Sequence, residues 1–370
     1  MYCNIGNDNE GALITNSGEA RCGSLLFPTK NDSKEVQGFN GVGYSQWQAY
    51  DDGWQFEFGN APNICIAWKL DDARAAITAI MKHADAHGLK VGFADRFPIH
   101  KQDCAIAPHR AFTVGCNATI SVERDGEDAP TFPNYLEFLH EHGILCGTHM
   151  HIANNWVSNH WYEGSEEDRK RILDLVKAVV VYAILPMSVF TNDKDCGLRY
   201  RTLGIGNFRI KMYGIEFKDM GSSVMQTPMW YAALHAMIRD VIDHWTFFGK
   251  NQPGKMIVSD EIWNETVKMM KSDDPDDRRN FMHSHCLGVI KAIIESRLIV
   301  QTLMSPFETD ELLELFTRFS QNLGDLRHEW HVEYKIPSHV MGVVSELNRK
   351  LGAERGLEYH RRMPNDGVIE

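Results

Sequence analysis

The chain has 370 residues, 43% hydrophobic and 24% charged, with a formal net charge of −12 and a pI near 5.8. That length suits roughly two domains of ~150 residues or one large one, and the apolar fraction supports a sizeable core. The acidic balance excludes a general nucleic-acid or anionic-membrane binder, which needs a basic surface, while leaving room for a local basic pocket.

Residues 1–70 read as β-rich. Short runs such as Gly11–Thr15 and Trp54–Phe58 are separated by turn clusters at Asn16-Ser-Gly, Lys30-Asn-Asp-Ser and Asp51-Asp-Gly. Within them Asp8-x-Glu10 puts two carboxylates on one strand face, because residues i and i+2 point the same way. Such a pair can share a hard cation such as Mg²⁺, although a solvated acidic turn carries the same residues. Glu57 alternates with Phe56 and Phe58 and so lies on the face opposite to them. A carboxylate there needs a cation if both faces are covered, and none if its face is wet.

Asp71–His87 is predicted as a helix, capped by Asp71 or Asp72 and ended by Gly88, with Ile77, Ile80, Met81 and Ala84 at helical spacing. Residues 89–132 return to short strands and loops. Pro133–Glu141 reads as a helix closed by Gly143, and Ile144–Ile152 as a strand. That strand contains Cys146-Gly-Thr-His-Met-His, so His149 and His151 share a face. A neutral imidazole there suits a divalent metal or a phosphate, and paired structural histidines would look the same.

Ser165-Glu-Glu-Asp caps a second helix that runs to about Leu185 and stops at Pro186. Ala178–Val189 is the longest apolar run, too short to span a membrane and broken by that proline. The first residues show neither a basic n-region nor an apolar h-region, so no signal peptide is expected. Eight cysteines without a C-x-x-C pair read as reduced, mostly buried thiols, which points to the cytosol.

Residues 198–219 read as a charged strand pair. Charges recur at i and i+2 in Arg199/Arg201, Arg209/Lys211 and Glu216/Lys218. Arg201, Arg209, Lys211 and Lys218 are suited to clamp phosphates, or else form a solvated face. Gly204-Ile-Gly206 would let the backbone approach a ligand.

From about Thr227 to Leu351 the pattern is mainly helical, with segments at 227–247, 260–271, 282–303, 308–322 and 338–351. Pro253, Pro275, Pro306 and Pro337 fall between them as punctuation. The expected organisation is a catalytic core over residues 1–225, a helical part over 226–361 that packs on it, and a loose tail at 362–370. His283-Ser-His-Cys286 lacks a second ligand cluster, and His328-Glu-Trp-His331 has H-E-x-H rather than H-E-x-x-H. The chain also lacks a G-x-x-x-x-G-K-[ST] phosphate loop and a G-x-S-x-G elbow.

Taken in order, four segments resemble one family. They are Gly6-Asn-Asp-Asn-Glu10, Asp52-Gly-Trp-Gln-Phe-Glu57, Gly147-Thr-His-Met-His-Ile152, and Arg201…Gly206-Asn-Phe-Arg209…Tyr213-Gly-Ile-Glu-Phe-Lys218. The set resembles the phage-type carboxylate–amine ligases (COOH–NH2 ligase type 2) of the glutamine synthetase and γ-glutamylcysteine ligase superfamily, over about residues 4–225. The resemblance implies an α+β fold: a curved antiparallel sheet of the glutamine synthetase catalytic-domain type, around a cleft for ATP and Mg²⁺ or Mn²⁺. It implies Asp8, Glu10, Glu57, His149 and Glu216 around the metals. Arg201 and Arg209 would hold phosphates and developing charge, with Lys211 and Lys218 beside them and His151 in the same cleft. It further implies amide-bond formation through an acyl phosphate, with small-molecule or peptide acids and amines as substrates, in the cytoplasm (the host's, if phage-encoded). Two open alternatives are phosphoryl transfer to a guanidino-type acceptor and a catalytically silent binding protein. The family usually has proline where Asn9 stands and arginine where Lys218 stands. The first change alters turn stiffness and the second removes a bidentate donor, and neither removes a metal ligand.

Overall fold

The computed structural model describes residues 4–30, 37–39, 46–63, 66–112, 119–129, 134–191, 193–251 and 258–295. In chain order the elements begin with strands β1 (Ile5–Ile14), β2 (Gln37–Phe39), β3 (Gln46–Asp52) and β4 (Gln55–Asn63), then helix α1 (Ile66–Ala86). Short strands β5 (Lys90–Gly92), β6 (Arg96–Phe97), β7 (Ile120–Ser121) and β8 (Glu127–Asp128) lead to α2 (Tyr135–His142), β9 (Ile144–Leu145) and β10 (Gly147–Ala153). Next come α3 (Asn155–Glu163), α4 (Glu166–Val179), α5 (Leu185–Thr191) and α6 (Cys196–Leu203), then the hairpin β11 (Asn207–Lys211) and β12 (Gly214–Gly221). Helices α7 (Pro228–Asn251), α8 (Asp260–Met270), α9 (Pro275–Phe281) and α10 (Leu287–Glu295) follow.

The fold is α+β. Ten strands form one antiparallel sheet in the order β2-β3-β4-β1-β10-β12-β11-β7-β8, with β5 paired to β1. β6 and β9 pair separately. Period-2 alternation gives the sheet two unlike faces. Phe56, Phe58, Met150, Ile152, Phe208, Ile215 and Phe217 are buried on one, in the same apolar cluster as α1, α4, α5 and α7. The apolar rule breaks on that face at Asn7, whose amide oxygen meets the Tyr231 hydroxyl at 3.1 Å and His235 Nε2 at 2.8 Å. A buried polar group needs such partners.

Local signals explain most boundaries. Gly53, at φ +68, turns the chain between β3 and β4. Ser165 and Asp168 form a reciprocal capping box at the start of α4. Asn134 caps α2 and Gly143 ends it.

Three expectations are corrected. α1 begins at Ile66, ahead of the acids read as its cap, and Asp72 is instead buried inside the helix near Lys69. The second long helix does not stop at Pro186 but runs continuously over Glu166–Thr191. Proline lacks an N–H and crowds the carbonyl four residues back, and the helix widens into a π turn at Val180–Ile184, just ahead of it. This helix is long and apolar enough to cross a membrane, and 83% of its apolar window is buried inside the fold. Residues 198–203, read as strand, belong instead to α6, which spans Cys196–Leu203.

Pro275 does not merely punctuate. It occupies the first turn of α9 behind the Asp274 cap, and α9 continues through a π turn at Met282–Cys286 into α10. The helices expected at 308–322 and 338–351, and the tail at 362–370, lie outside the described residues. Cys22, Cys146, Cys196 and Cys286 are buried free thiols and Cys104 is a half-buried one.

Candidate active site

Cross-strand register assembles the polar face. Asp8 stands opposite His149, Glu10 opposite Glu57, His151 opposite Glu216, and Glu216 opposite Arg209. Directly opposed residues share a face. The same face receives Tyr50, opposite Glu57, and Asp52, opposite Gln55. Six strands thus deliver acids, histidines and cations to one surface, although β1, β4, β10 and β12 are far apart in sequence.

The acidic end converges on a small volume. One ligand atom each from Glu10, Glu57 and His149 lies within 4.8 Å of the others. His149 Nε2 is 3.6 Å from Glu10 Oε1, and its Nδ1 is 3.8 Å from Glu216 Oε1. Burial, then the nearby Asp52 charge, pushes the Glu10 carboxyl up to about 8, against the pull of Arg199, the Gly147 N–H and Lys218. Burial and the charges of Asp8 and Asp52 raise Glu57 well above the carboxylate range, and its hydrogen bond from the Tyr50 hydroxyl only partly offsets them. Asp52 is raised as well, mainly by burial. Burial and the Lys218 charge bring His149 down to about 3, so its imidazole is neutral and able to ligate. Crowded carboxylates that resist ionisation together with a neutral imidazole are the donor set a divalent cation satisfies.

The basic end is built on β11 and β12. Arg209 Nη1, Lys211 Nζ and Lys218 Nζ each lie 3.4 Å from a Glu216 oxygen. Burial opposes ionisation of Glu216, but His151, Lys218, His149 and Arg209 outweigh it and hold the carboxyl down at about 2. Three cations around one carboxylate leave positive charge for an anionic ligand. At the rim His151 Nε2 is 3.0 Å from Asp8 Oδ2, and its Nδ1 meets the Tyr213 hydroxyl. Burial alone would raise Asp8, yet His151 and, more weakly, Lys30 and His149 keep it well below the usual range.

The face therefore gathers Asp8, Glu10, Glu57, His149, His151, Arg209, Lys211, Glu216 and Lys218. Arg201 does not join them. Helical rather than extended backbone turns its guanidinium to the Lys271 carbonyl at 2.6 Å and to Asp273 at 2.7 Å, at a partly exposed position. Arg201→Ala is expected to leave metal and nucleotide affinity within about twofold of the parent by calorimetry, since exposed ion pairs contribute little. Four residues of the site have no assigned role in the sequence reading: Tyr50, which it does not name, and Asp52, Arg199 and Tyr213, which stand in its motifs only as neighbours. The Gln48/Tyr50/Asp52 alternation in β3 is the available signal for the first two, whereas the i, i+2 charge rule pairs Arg199 with Arg201 and the family resemblance favours Arg201.

No family model matches the chain, and no curated protein matches its sequence. Solved structures do resemble it at low identity. One described as a novel glutamine synthase homolog is 12% identical, with a TM-score of 0.41, and the match covers 86% of this chain and 66% of that one. GmaS in complex with ADP is 12% identical with a TM-score of 0.39, covering 89% and 71%. GmaS without ligand is 13% identical with a TM-score of 0.35, covering 82% and 72%. The chain thus spans just under two thirds of the first of these structures.

Proposed function

We propose that this chain is an ATP-dependent carboxylate–amine ligase of glutamine synthetase-like type that forms an amide bond and releases ADP and phosphate. The observation that carries the reading is the convergence of Glu10, Glu57 and His149 beside Arg209, Lys211 and Lys218 on one face of the sheet. Acids and a neutral imidazole fit Mg²⁺ or Mn²⁺, and adjacent cations fit a triphosphate. The sequence resemblance points the same way. Asp8 and Glu216 complete the set around the cation site in this reading, Glu216 also orienting the three cations that surround it. The bound cation supplies charge neutralisation for the triphosphate.

The chain's own part is positioning and electrostatics. Arg209, Lys211 and Lys218 hold the phosphate oxygens and neutralise the charge that builds on them during transfer. A carboxylate oxygen of the acid substrate attacks the γ-phosphorus, the bond to the ADP oxygen breaks, and an acyl phosphate forms. The amine nitrogen then bonds to the acyl carbon and loses a proton while phosphate leaves. His151, held between Asp8 and Tyr213, stands at the rim of the same face. The substrates proposed are small-molecule or peptide acids and amines.

The test replaces the amine by hydroxylamine. With Mg²⁺, ATP and a matrix of amino acids and peptides as acids, mass spectrometry should find a hydroxamate accompanied by ADP in equal amount. AMP and pyrophosphate would indicate adenylation and overturn the mechanism.

A further inference from the structure

Helix α6 reaches the acidic cluster through one buried residue. Arg199 is 3% exposed. Its Nη1 donates to the Cys146 carbonyl at 2.8 Å and its Nη2 to the Lys218 carbonyl at 3.3 Å. We propose that Arg199 is a positioning residue that holds the β10–β12 junction, and through it Glu10 and Lys218, in the geometry of the metal and phosphate site. Its catalytic consequence rests on the ligase reading above, whereas its action on the junction does not.

On the β12 side the junction contains a bulge. Thr148 pairs with Met220 but Met150 with Phe217, so Lys218 and Asp219 together face His149. A bulge interrupts the ladder, and carbonyls there need other donors. Consecutive residues of α6 supply them: Arg199 to the Lys218 carbonyl, and the Tyr200 hydroxyl to the Asp219 carbonyl at 2.9 Å. The bulge lies on the strand that carries Lys218 to Glu216.

The β10 side is Gly147. Its N–H donates to Glu10 Oε2, and the residue before it gives its carbonyl to Arg199. A Cβ at position 147 would stand 2.6 Å from Arg199 Nη2 and 3.3 Å from Glu10 Oε2. The guanidinium therefore fills the space a side chain would take. A buried guanidinium requires nearby negative charge, and Glu10, Asp95 and Asp219 all feel this one. Its rigid planar fork serves two carbonyls at once, which an ammonium at that position does not reproduce.

The test compares the full-length protein with Arg199→Lys and Gly147→Ala, the second of which displaces the guanidinium without removing it. Free Mn²⁺ measured by electron paramagnetic resonance should show affinity reduced about tenfold or more in both, the range typical of groups that orient ligands. In ATP turnover kcat should fall with KM for ATP nearly unchanged. Hydrogen exchange at the Gly147 amide, measured without metal, should accelerate about tenfold or more while the amides of β3 and β4 hold their protection. A lower melting temperature with Mn²⁺ affinity, kcat and Gly147 exchange all within twofold of the parent would overturn the proposal. A parent that binds no Mn²⁺ would sink the metal reading, and Gly147 exchange alone would then decide for or against the clamp.

Discussion

Glu10→Gln is expected to reduce Mg²⁺ or Mn²⁺ affinity by on the order of 100-fold or more, and to weaken the pH dependence of that affinity, leaving the part that Glu57 contributes. Loss of a ligand should exceed the ~10–100-fold typical of groups that merely orient ligands. Burial, with the Asp52 charge, holds the Glu10 proton up to about pH 8 in the folded chain, against an ordinary value of 4.5. A cation needs the ionised form, so binding expels that proton and affinity rises with pH up to about 8. Calorimetry in buffers of different ionisation enthalpy should detect proton release in the parent at pH 7 and less in Glu10→Gln.

Stability without metal carries the matching signature. Because its folded pKa is raised, Glu10 contributes stability that is fully present below 4.5 and lost as pH rises through 8. His149 works in a different window. Its folded pKa is depressed to about 3 from 6.5, so its penalty disappears as pH rises and none remains to be relieved above 6.5. Between pH 6.5 and 8 the metal-free protein should therefore lose stability, with Asp219, pushed up to about 7 mainly by burial, adding to the slope. A fixed Mg²⁺ concentration should raise the melting temperature more at pH 8 than at pH 6.5, since the stabilisation grows with the ratio of ligand to Kd and reaches about 2.7 kcal/mol at about 100 times Kd. A Mg²⁺ response that is flat across this range would disconnect Glu10 from the cation.

Much of this site was legible because strand alternation is a strict rule. Asp8-x-Glu10, Glu57 between two phenylalanines, His149-x-His151 and Glu216-x-Lys218 each declare a face, and the register joins them. The rule misled where charge spacing alone was used. Arg199 and Arg201 are also two apart, but Tyr200 and Cys196 between and before them are buried against the core, and Gly204 at φ +82 ends a helix. In a helix, residues two apart do not share a face. One arginine therefore enters the core and the other reaches the surface. Pro186 failed as a stop signal for a related reason. Packing of a fully buried helix outweighs the local cost of proline when a π turn accommodates the ring. The β12 bulge does leave a mark in the pattern, since Lys218 and Asp219 are two polar residues in succession and break the Ile215-Glu216-Phe217-Lys218 alternation where the extra residue sits.

Lys218→Ala is expected to lower kcat/KM by roughly 10- to 150-fold, which corresponds to about 1.5–3 kcal/mol for one charge-assisted contact. The side chain is 8% exposed, and its Nζ lies 3.4 Å from Glu216 Oε1. Its charge also lowers His149 and Glu216 and opposes the rise of Glu10, so it is felt at both ends of the face. If Lys218 meets phosphate oxygens whose charge grows during transfer, the loss falls mainly on kcat. If it only helps bind ATP, KM rises and kcat holds. Lys218→Arg distinguishes charge from shape. The guanidinium keeps the charge and adds a planar pair of donors, so it should retain substantial activity where the bulge leaves room for the longer fork. Lys218→Met keeps the aliphatic stem without the charge and should behave like alanine in kcat while unfolding at a temperature close to the parent's. Steady-state kinetics with ADP release as readout separates these cases. Parent-like kinetics in both alanine and methionine variants would remove Lys218 from the reaction and leave Arg209 and Lys211 as the phosphate-binding cations of this face.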